Sequence, residues 1–228
     1  LAIQAPLSNE RSMNTYRFTL AGTTLAGLPS GALWWQAERL LCVSDLHLGR
    51  SERFARNGGS LLPPYETRDT LARLDADIET TQAATVVCLG DSFDDAAAAQ
   101  GLDAPARDWI VRAMAGRRWV WIEGNHDPGP TMLSGSHLAQ LALGPLTFRH
   151  IAEPGASGEI SGHYHPKARL AGRSRPCLLH DAARVILPAY GTYTGGLRSD
   201  SSTLAALMRP EAVAVLTGTQ PQAIPMPR

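Results

Sequence analysis

The chain has 228 residues and a mass of 24.4 kDa, the size of one ordinary α/β domain or at most two small ones. With 44% apolar and 18% charged residues it is not a disordered chain, and no apolar run reaches the ~18 residues of a membrane span, so no membrane partner is expected. Its 21 basic and 21 acidic residues cancel, which argues against coating nucleic acid by bulk charge but leaves room for a local basic groove.

Residues 1–13 (LAIQAPLSNERSM) lack a basic start followed by an apolar stretch. They are therefore not read as a secretory signal but as a disordered extension ahead of a single domain over 14–228. Tyr16 to Leu20 and Thr23 to Leu28 read as a hairpin turning near Gly22, continued by Leu33 to Trp35. Leu40 to Ser44 (LLCVS) is a continuous apolar run, the pattern of a central strand covered on both faces. Pro64 to Thr81 has helical spacing, with Leu71, Leu74 and Ile78 on one face. Ala84 to Leu89 is a second buried strand, Ala104 to Ala115 a helix ended by Gly116, and Trp119 to Ile122 a third buried strand. Leu146 to Arg149, Gly158 to Ile160 and Arg184 to Leu187 are shorter strand candidates. The alternation of strand and helix predicts an α/β fold with a parallel sheet and right-handed crossovers, and the late strands predict a second sheet packed on it. The three cysteines, Cys42, Cys88 and Cys177, form no C-x-x-C pair. They are read as small core residues of a cytoplasmic protein.

Every predicted buried strand runs straight into polar residues. LLCVS leads to Asp45-Leu46-His47, and ATVVCL to Gly90-Asp91 and then Asp94-Asp95. WVWIE leads to Gly124-Asn125-His126-Asp127, and EIS to Gly162-His163-Tyr164-His165. The carboxyl ends of strands in an open α/β sheet share one edge, where ligands sit, so these groups should converge. Asp45 and His47 are two apart, as are His163 and His165, and each pair would share a side if its strand continued. Imidazoles and carboxylates without thiolate suit Mn, Fe or Zn better than Mg or Ca. A lone D-x-H arises by chance in roughly a quarter of such chains, but G-N-H-D in only about one in a thousand. A lone histidine is more often structural, and it is the set of four motifs in order that carries the metal reading.

The order D-x-H, G-D-x-x-D, G-N-H-D, H, G-H-x-H resembles the calcineurin-like metallophosphoesterases. Beyond the motifs, DLHLGRSERFARNGG, LLPPYETR, CLGDSF, GPLTFRH, EISGHYHPKAR and LPAYGTYTGGL resemble the bacterial DNA ligase-associated metallophosphoesterases over about residues 14–208. The resemblance implies a four-layer α/β/β/α sandwich, two divalent metal ions, usually Mn²⁺, and endonuclease action on single-stranded DNA. It also implies a DNA repair setting, with a repair ligase and a helicase from the same gene cluster as partners. Carried over, Asp45, His47 and His165 would hold one metal, Asp91 would bridge, and Asn125, His150 and His163 would hold the other. His137 competes with His150 but lies in a Ser/Gly-rich segment, and His180 is read as structural.

Two ions about 3.5–4 Å apart acidify a water and clamp a diester. A hydroxide so formed would attack, His126 would protonate the leaving oxygen, and Arg50 would meet charge on the nonbridging oxygens. Asp94 or Asp127 would hold His126 protonated and oriented. Members of the resembled family usually carry His where this chain has Asp94, which leaves substrate preference open. DNA-binding candidates are Arg50, Arg53 and Arg56, then Lys167, Arg169, Arg173 and Arg175, with Tyr65, Tyr164, Tyr190 and Tyr193 able to stack on bases. The alternatives are a small-molecule phosphodiesterase, for cyclic nucleotides or a nucleotide pyrophosphate, and a weakly active accessory subunit of a ligase/helicase assembly.

Overall fold

A computed structural model describes residues 14–58, 63, 65–127 and 133–227. The extension expected over 1–13 lies outside the described residues. Seven strands form the first sheet in chain order: β1 (Tyr16–Leu20), β2 (Thr23–Gly27), β3 (Leu33–Trp35), β4 (Leu40–Val43), β5 (Thr85–Leu89), β6 (Arg118–Ile122) and β7 (Ser136–Leu138). β1 to β4 pair antiparallel, and β4 to β7 pair parallel. Leu20 pairs with Thr23, and the two turn residues, Ala21 and Gly22, both have positive φ (48° and 76°). That is the two-residue turn whose twist suits a hairpin.

The second sheet is built from β8 (Gln140–Leu143), β9 (Leu146–Arg149), β10 (Glu159–Ser161), β12 (Arg173–His180), β13 (Arg184–Ile186), β14 (Val213–Leu216) and β15 (Gln222–Pro225), while β11 (Lys167–Leu170) pairs with β12. Among the described residues, five helices complete the fold: α1 (Arg50–Arg56), α2 (Glu66–Thr81), α3 (Ala96–Gly101), α4 (Ala104–Met114) and α5 (Ser202–Leu207).

The period-2 alternation of β4, β5 and β6 explains the layering. Leu41, Val43, Val86, Cys88, Trp119 and Trp121 pack under α2 and α4, against Leu71, Leu74, Ile78, Ile110 and Met114. Leu40, Cys42, Val87, Leu89, Val120 and Ile122 point the other way and meet Phe148, Ile160, Leu178 and Val185 of the second sheet. The far face of that sheet (Cys177, Leu179, Ile186, Ala214) is covered by Leu204 of α5 and by Met208. These are the four layers, helix–sheet–sheet–helix, of the α/β/β/α sandwich that the family resemblance implies.

Helix and strand boundaries shift by a residue or two from the sequence reading. One difference bears on function. β4 stops at Val43, and Asp45 and His47 do not prolong it. Both take left-handed backbone (φ 53° and 46°), as do Asp91 (46°), His163 (67°) and His165 (46°). The i, i+2 pairs therefore converge by tight turns and not by strand alternation. Such backbone costs a non-glycine residue of order 1–3 kcal/mol and persists only where the surroundings enforce it.

All three cysteines are buried, and burial pushes each thiol up, that of Cys177 to about 12. A thiol reagent such as Ellman's is expected to titrate none of them in the native protein and all three in denaturant. Fast native-state reaction of any one would contradict the packing.

Candidate metal centre

The strand ends of both sheets meet at one place. Asp45 and His47 follow β4, Asp91 and Asp94 follow β5, and Asn125 to Asp127 follow β6. His150 follows β9, and His163 and His165 follow β10. Glycines permit the approach. A Cβ on Gly90 would lie 2.6 Å from the His150 ring, one on Gly124 would strike Asp91, and one on Gly162 would strike the Ser44 hydroxyl.

Among the described residues, three groups of side chains bring potential ligand atoms within 4.8 Å of one another: Asp45, His47 and His165; Asp91, His150 and His163; and His47, Asp94 and His126. In the first, His47 Nε2 lies 3.5 Å from His165 Nε2, which lies 3.0 Å from Asp45 Oδ1. In the second, His150 Nε2 is 3.2 Å from His163 Nδ1, 2.9 Å from Asn125 Oδ1 and 3.4 Å from Asp91 Oδ2. The groups adjoin, because His150 Nδ1 is also 3.9 Å from Asp45 Oδ1. Thus Asp45, Asp91, Asn125, His47, His150, His163 and His165 come together, whereas His137 stands apart, beside the Trp121 ring at 6.4 Å. His180 stacks on Phe18 at 4.3 Å.

Residues around the centre fix which ring nitrogens face inward. The Leu89 carbonyl, 2.7 Å away, can only accept, so His150 Nδ1 carries the hydrogen and Nε2 turns a lone pair inward. That lone pair meets the carbonyl and carboxylate oxygens of Asn125 and Asp91, so acceptors converge where a cation is wanted. Asp45 Oδ1 is buried beside His165 Nε2, while Oδ2 accepts from the His163 amide at 2.9 Å and from the Ser44 hydroxyl. Burial raises the Asp45 carboxyl, but His165, His150 and Ser44 outweigh it and hold it below the usual range. Asp91 behaves alike: burial is outweighed by His150 and by the His126 amide, which brings it to about 2. His150 is pushed up, since Asp91 and Asp45 outweigh its desolvation. Burial, and then the neighbouring His150, push His163 down. Ionised carboxylates packed among inward-facing imidazoles fit divalent transition ions.

The Asp94 carboxylate, one of two expected to orient His126, is engaged by other residues. It is fully buried and lies 3.0 Å from His47 Nδ1, 2.9 Å from Arg50 and 3.0 Å from Arg53. His126 is held by the Asp94 backbone instead: Nδ1 lies 2.9 Å from the Asp94 carbonyl oxygen. Its Nδ1 therefore donates, and Nε2 is left as the atom that can exchange a proton. Asp127 accepts from the Ser92 and Phe93 amides (2.7 and 3.2 Å), bracing the turn that carries Asp91. Burial, with the Asp91 charge adding, lifts its carboxyl to about 6.

Sequence spacing missed this division of work, because a backbone carbonyl leaves no residue signature. The arginines of α1 are engaged in local ion pairs: Arg50 and Arg53 on Asp94, and Arg56 on Asp95 at 2.8 Å. Tyr190, counted among the base-stacking candidates, is fully buried and donates to Asp77 at 2.9 Å, so that expectation is corrected. Tyr65 and Tyr193 lie side by side, ring centroids 5.9 Å apart, with Tyr65 exposed.

Replacing Asp94 by Ala is expected to weaken Mn²⁺ binding about 10–100-fold, the usual cost of removing the partner that orients a ligating histidine. Asn, which keeps an acceptor oxygen, should recover part of it. Calorimetric titration with Mn²⁺ is the check, and equal affinity in the Ala protein would remove Asp94 from the support of His47.

The family model for calcineurin-like phosphoesterases matches residues 38–191, which span every residue of these three groups. Among solved structures, that of Pseudomonas putida nuclease MPE is similar with a TM-score of 0.72 and 30% sequence identity, over 92% of this chain and 100% of that chain. No curated protein matches the chain.

Proposed function

The chain belongs to the calcineurin-like phosphoesterase family, and from that premise we propose that it is a two-metal, Mn²⁺-dependent phosphodiesterase that cuts single-stranded DNA internally. The carrying observation is the pair of adjoining ligand groups, Asp45/His47/His165 and Asp91/His150/His163, at the shared strand ends. The nuclease title of the similar structure supports a nucleic acid substrate. A setting in DNA repair, beside a ligase and a helicase in the cytoplasm, extends the same reading. No helix among the described residues is long and apolar enough to cross a membrane.

Asp45, His47 and His165 would hold one ion, and Asn125, His150 and His163 the other, with Asp91 between them. Bound there, the ions supply Lewis-acid neutralisation of the phosphate and acidification of a water. The chain does the rest. His126 Nε2, its ring fixed through Nδ1 by the Asp94 carbonyl, gives the leaving oxygen its proton. Arg50 extends from the start of α1, 2.9 Å from Asp94, and is the nearby cation for a nonbridging oxygen. Asp127 keeps the Asp91 turn in shape through two amides.

The test is a metal screen on circular single-stranded DNA, with an Asp91→Ala protein as control. The expected result is linearised circles with Mn²⁺ and intact circles with the control. A wild type that hydrolyses small diesters and leaves circles closed would overturn the DNA reading. The same preparation should hydrolyse bis(p-nitrophenyl) phosphate faster than the monoester, and the opposite preference would point to a phosphatase.

A further inference from the structure

Beyond the last histidine motif, Lys167, Arg169 and Arg175 are held by backbone carbonyls, Arg169 Nε donating to the Gly172 carbonyl at 3.3 Å. Arg175 is engaged by the Thr217 carbonyl and by Gln222. Lys167 and Arg169, two apart on β11, share one side of the strand. With Ser174, Arg198, Ser199 and Asp200 they line a cavity of about 280 Å³. Its walls are tied by backbone: the Lys167 amide donates to the Leu197 carbonyl and the Ser199 amide to the Lys167 carbonyl, both at 2.8 Å.

This cavity is close to the metal centre along the chain. Lys167 follows His165 by two residues, so their Cα atoms are at most about 7 Å apart. Its ammonium donates to the Thr194 carbonyl at 3.0 Å, in a loop whose Gly191 amide donates to the Asp45 carbonyl at 3.0 Å. An ammonium has three donors, so two remain for a ligand. Arg198 pairs with Asp200 (Nε to Oδ1 2.9 Å), but its side chain is 68% exposed, and such a pair contributes little and exchanges readily.

We propose that this cavity is a second anion site, which takes a backbone phosphate of the DNA strand flanking the phosphodiester that is cut. The inference rests on the nuclease reading above and deepens it. A strand lying across the centre carries phosphates at a repeat that a two-residue step can follow, whereas a small diester ends before reaching Lys167. Cations and a hydroxyl suit a phosphate, and the Asp200 carboxylate opposes one. The site therefore predicts effects of both signs.

The experiment measures half-saturation for Mn²⁺-dependent cleavage of an oligothymidylate and for hydrolysis of bis(p-nitrophenyl) phosphate, at several salt concentrations. The proteins are wild type, K167Q/R169Q and D200N. Each phosphate contact to a single strand contributes about 0.7 to the log–log salt slope, or roughly fivefold at 0.1 M salt. The double variant, which removes the one phosphate contact, should therefore raise the ratio of DNA to diester half-saturation about fivefold and flatten the slope by about 0.7. D200N should lower that ratio, a gain that misfolding cannot produce. A ratio for K167Q/R169Q within about twofold of wild type, or weaker DNA use by D200N, overturns the site. A wild type active on the diester and inert on oligothymidylate overturns the nuclease reading, and this site falls with it.

Discussion

An Asp91→Ala protein is expected to lose the metal pair and essentially all hydrolysis while keeping its fold. Asp91 Oδ2 lies 3.4 Å from His150 Nε2, and Oδ1 accepts from the His126 amide at 2.8 Å. The side chain thus belongs to one of the three groups and fixes the turn that carries His126. Neutral alanine leaves His150 and His163 facing each other without the carboxylate that balances a cation. Loss of metal-based transition-state stabilisation is worth several kcal/mol, about three powers of ten or more in rate. Metal analysis of the purified protein after Mn²⁺ loading is the check. Two ions per chain in the variant would remove Asp91 from the centre. Thermal unfolding of the metal-free variant should stay close to that of the metal-free wild type, because the Asp91 charge also repels Asp127.

The second large effect is expected at His126. Its Ala variant should retain both Mn²⁺ ions and lose about 10²–10⁴-fold in DNA cleavage, the range for a general acid. The same variant should lose far less on bis(p-nitrophenyl) phosphate, because p-nitrophenolate departs without needing a proton. This substrate contrast separates two roles that the geometry brings close together. His126 falls in one ligand-distance group with His47 and Asp94, and its ring lies 5.3 Å from that of His47, edge to face. A metal ligand would release manganese on mutation and lose both substrates equally. A proton donor held by the Asp94 carbonyl would not.

The layers and the metal centre were legible in the sequence to different depths. LLCV, TVVCL and WVWI announce themselves because both faces of β4, β5 and β6 are covered, so apolar residues run without alternation. The ligand candidates stand out because each interrupts such a run with a carboxylate or an imidazole. Other strands carry no such signal. β7 is three residues of Ser-His-Leu on a sheet edge, and β12 holds a proline where it meets β11. The turns at Asp45, His47, Asp91, His163 and His165 are hidden for another reason: Asp and His tolerate positive φ better than most residues but do not require it, and the assembled surroundings impose it. The sequence offers the carboxylates of Asp94 and Asp127 to His126, whereas packing delivers that of Asp94 to His47, Arg50 and Arg53 and leaves His126 with the Asp94 carbonyl. The second basic cluster was legible only in half, because Arg198 and Asp200 join Lys167 and Arg169 through a bridge between distant segments.

The most direct measurement of the central claim is anomalous diffraction at the manganese edge from crystals grown with excess Mn²⁺. Two peaks are expected. One should lie among Asp45, His47 and His165, and the other among Asn125, His150 and His163, with Asp91 touching both. A single peak among His47, Asp94 and His126, or none at the strand ends, would contradict it.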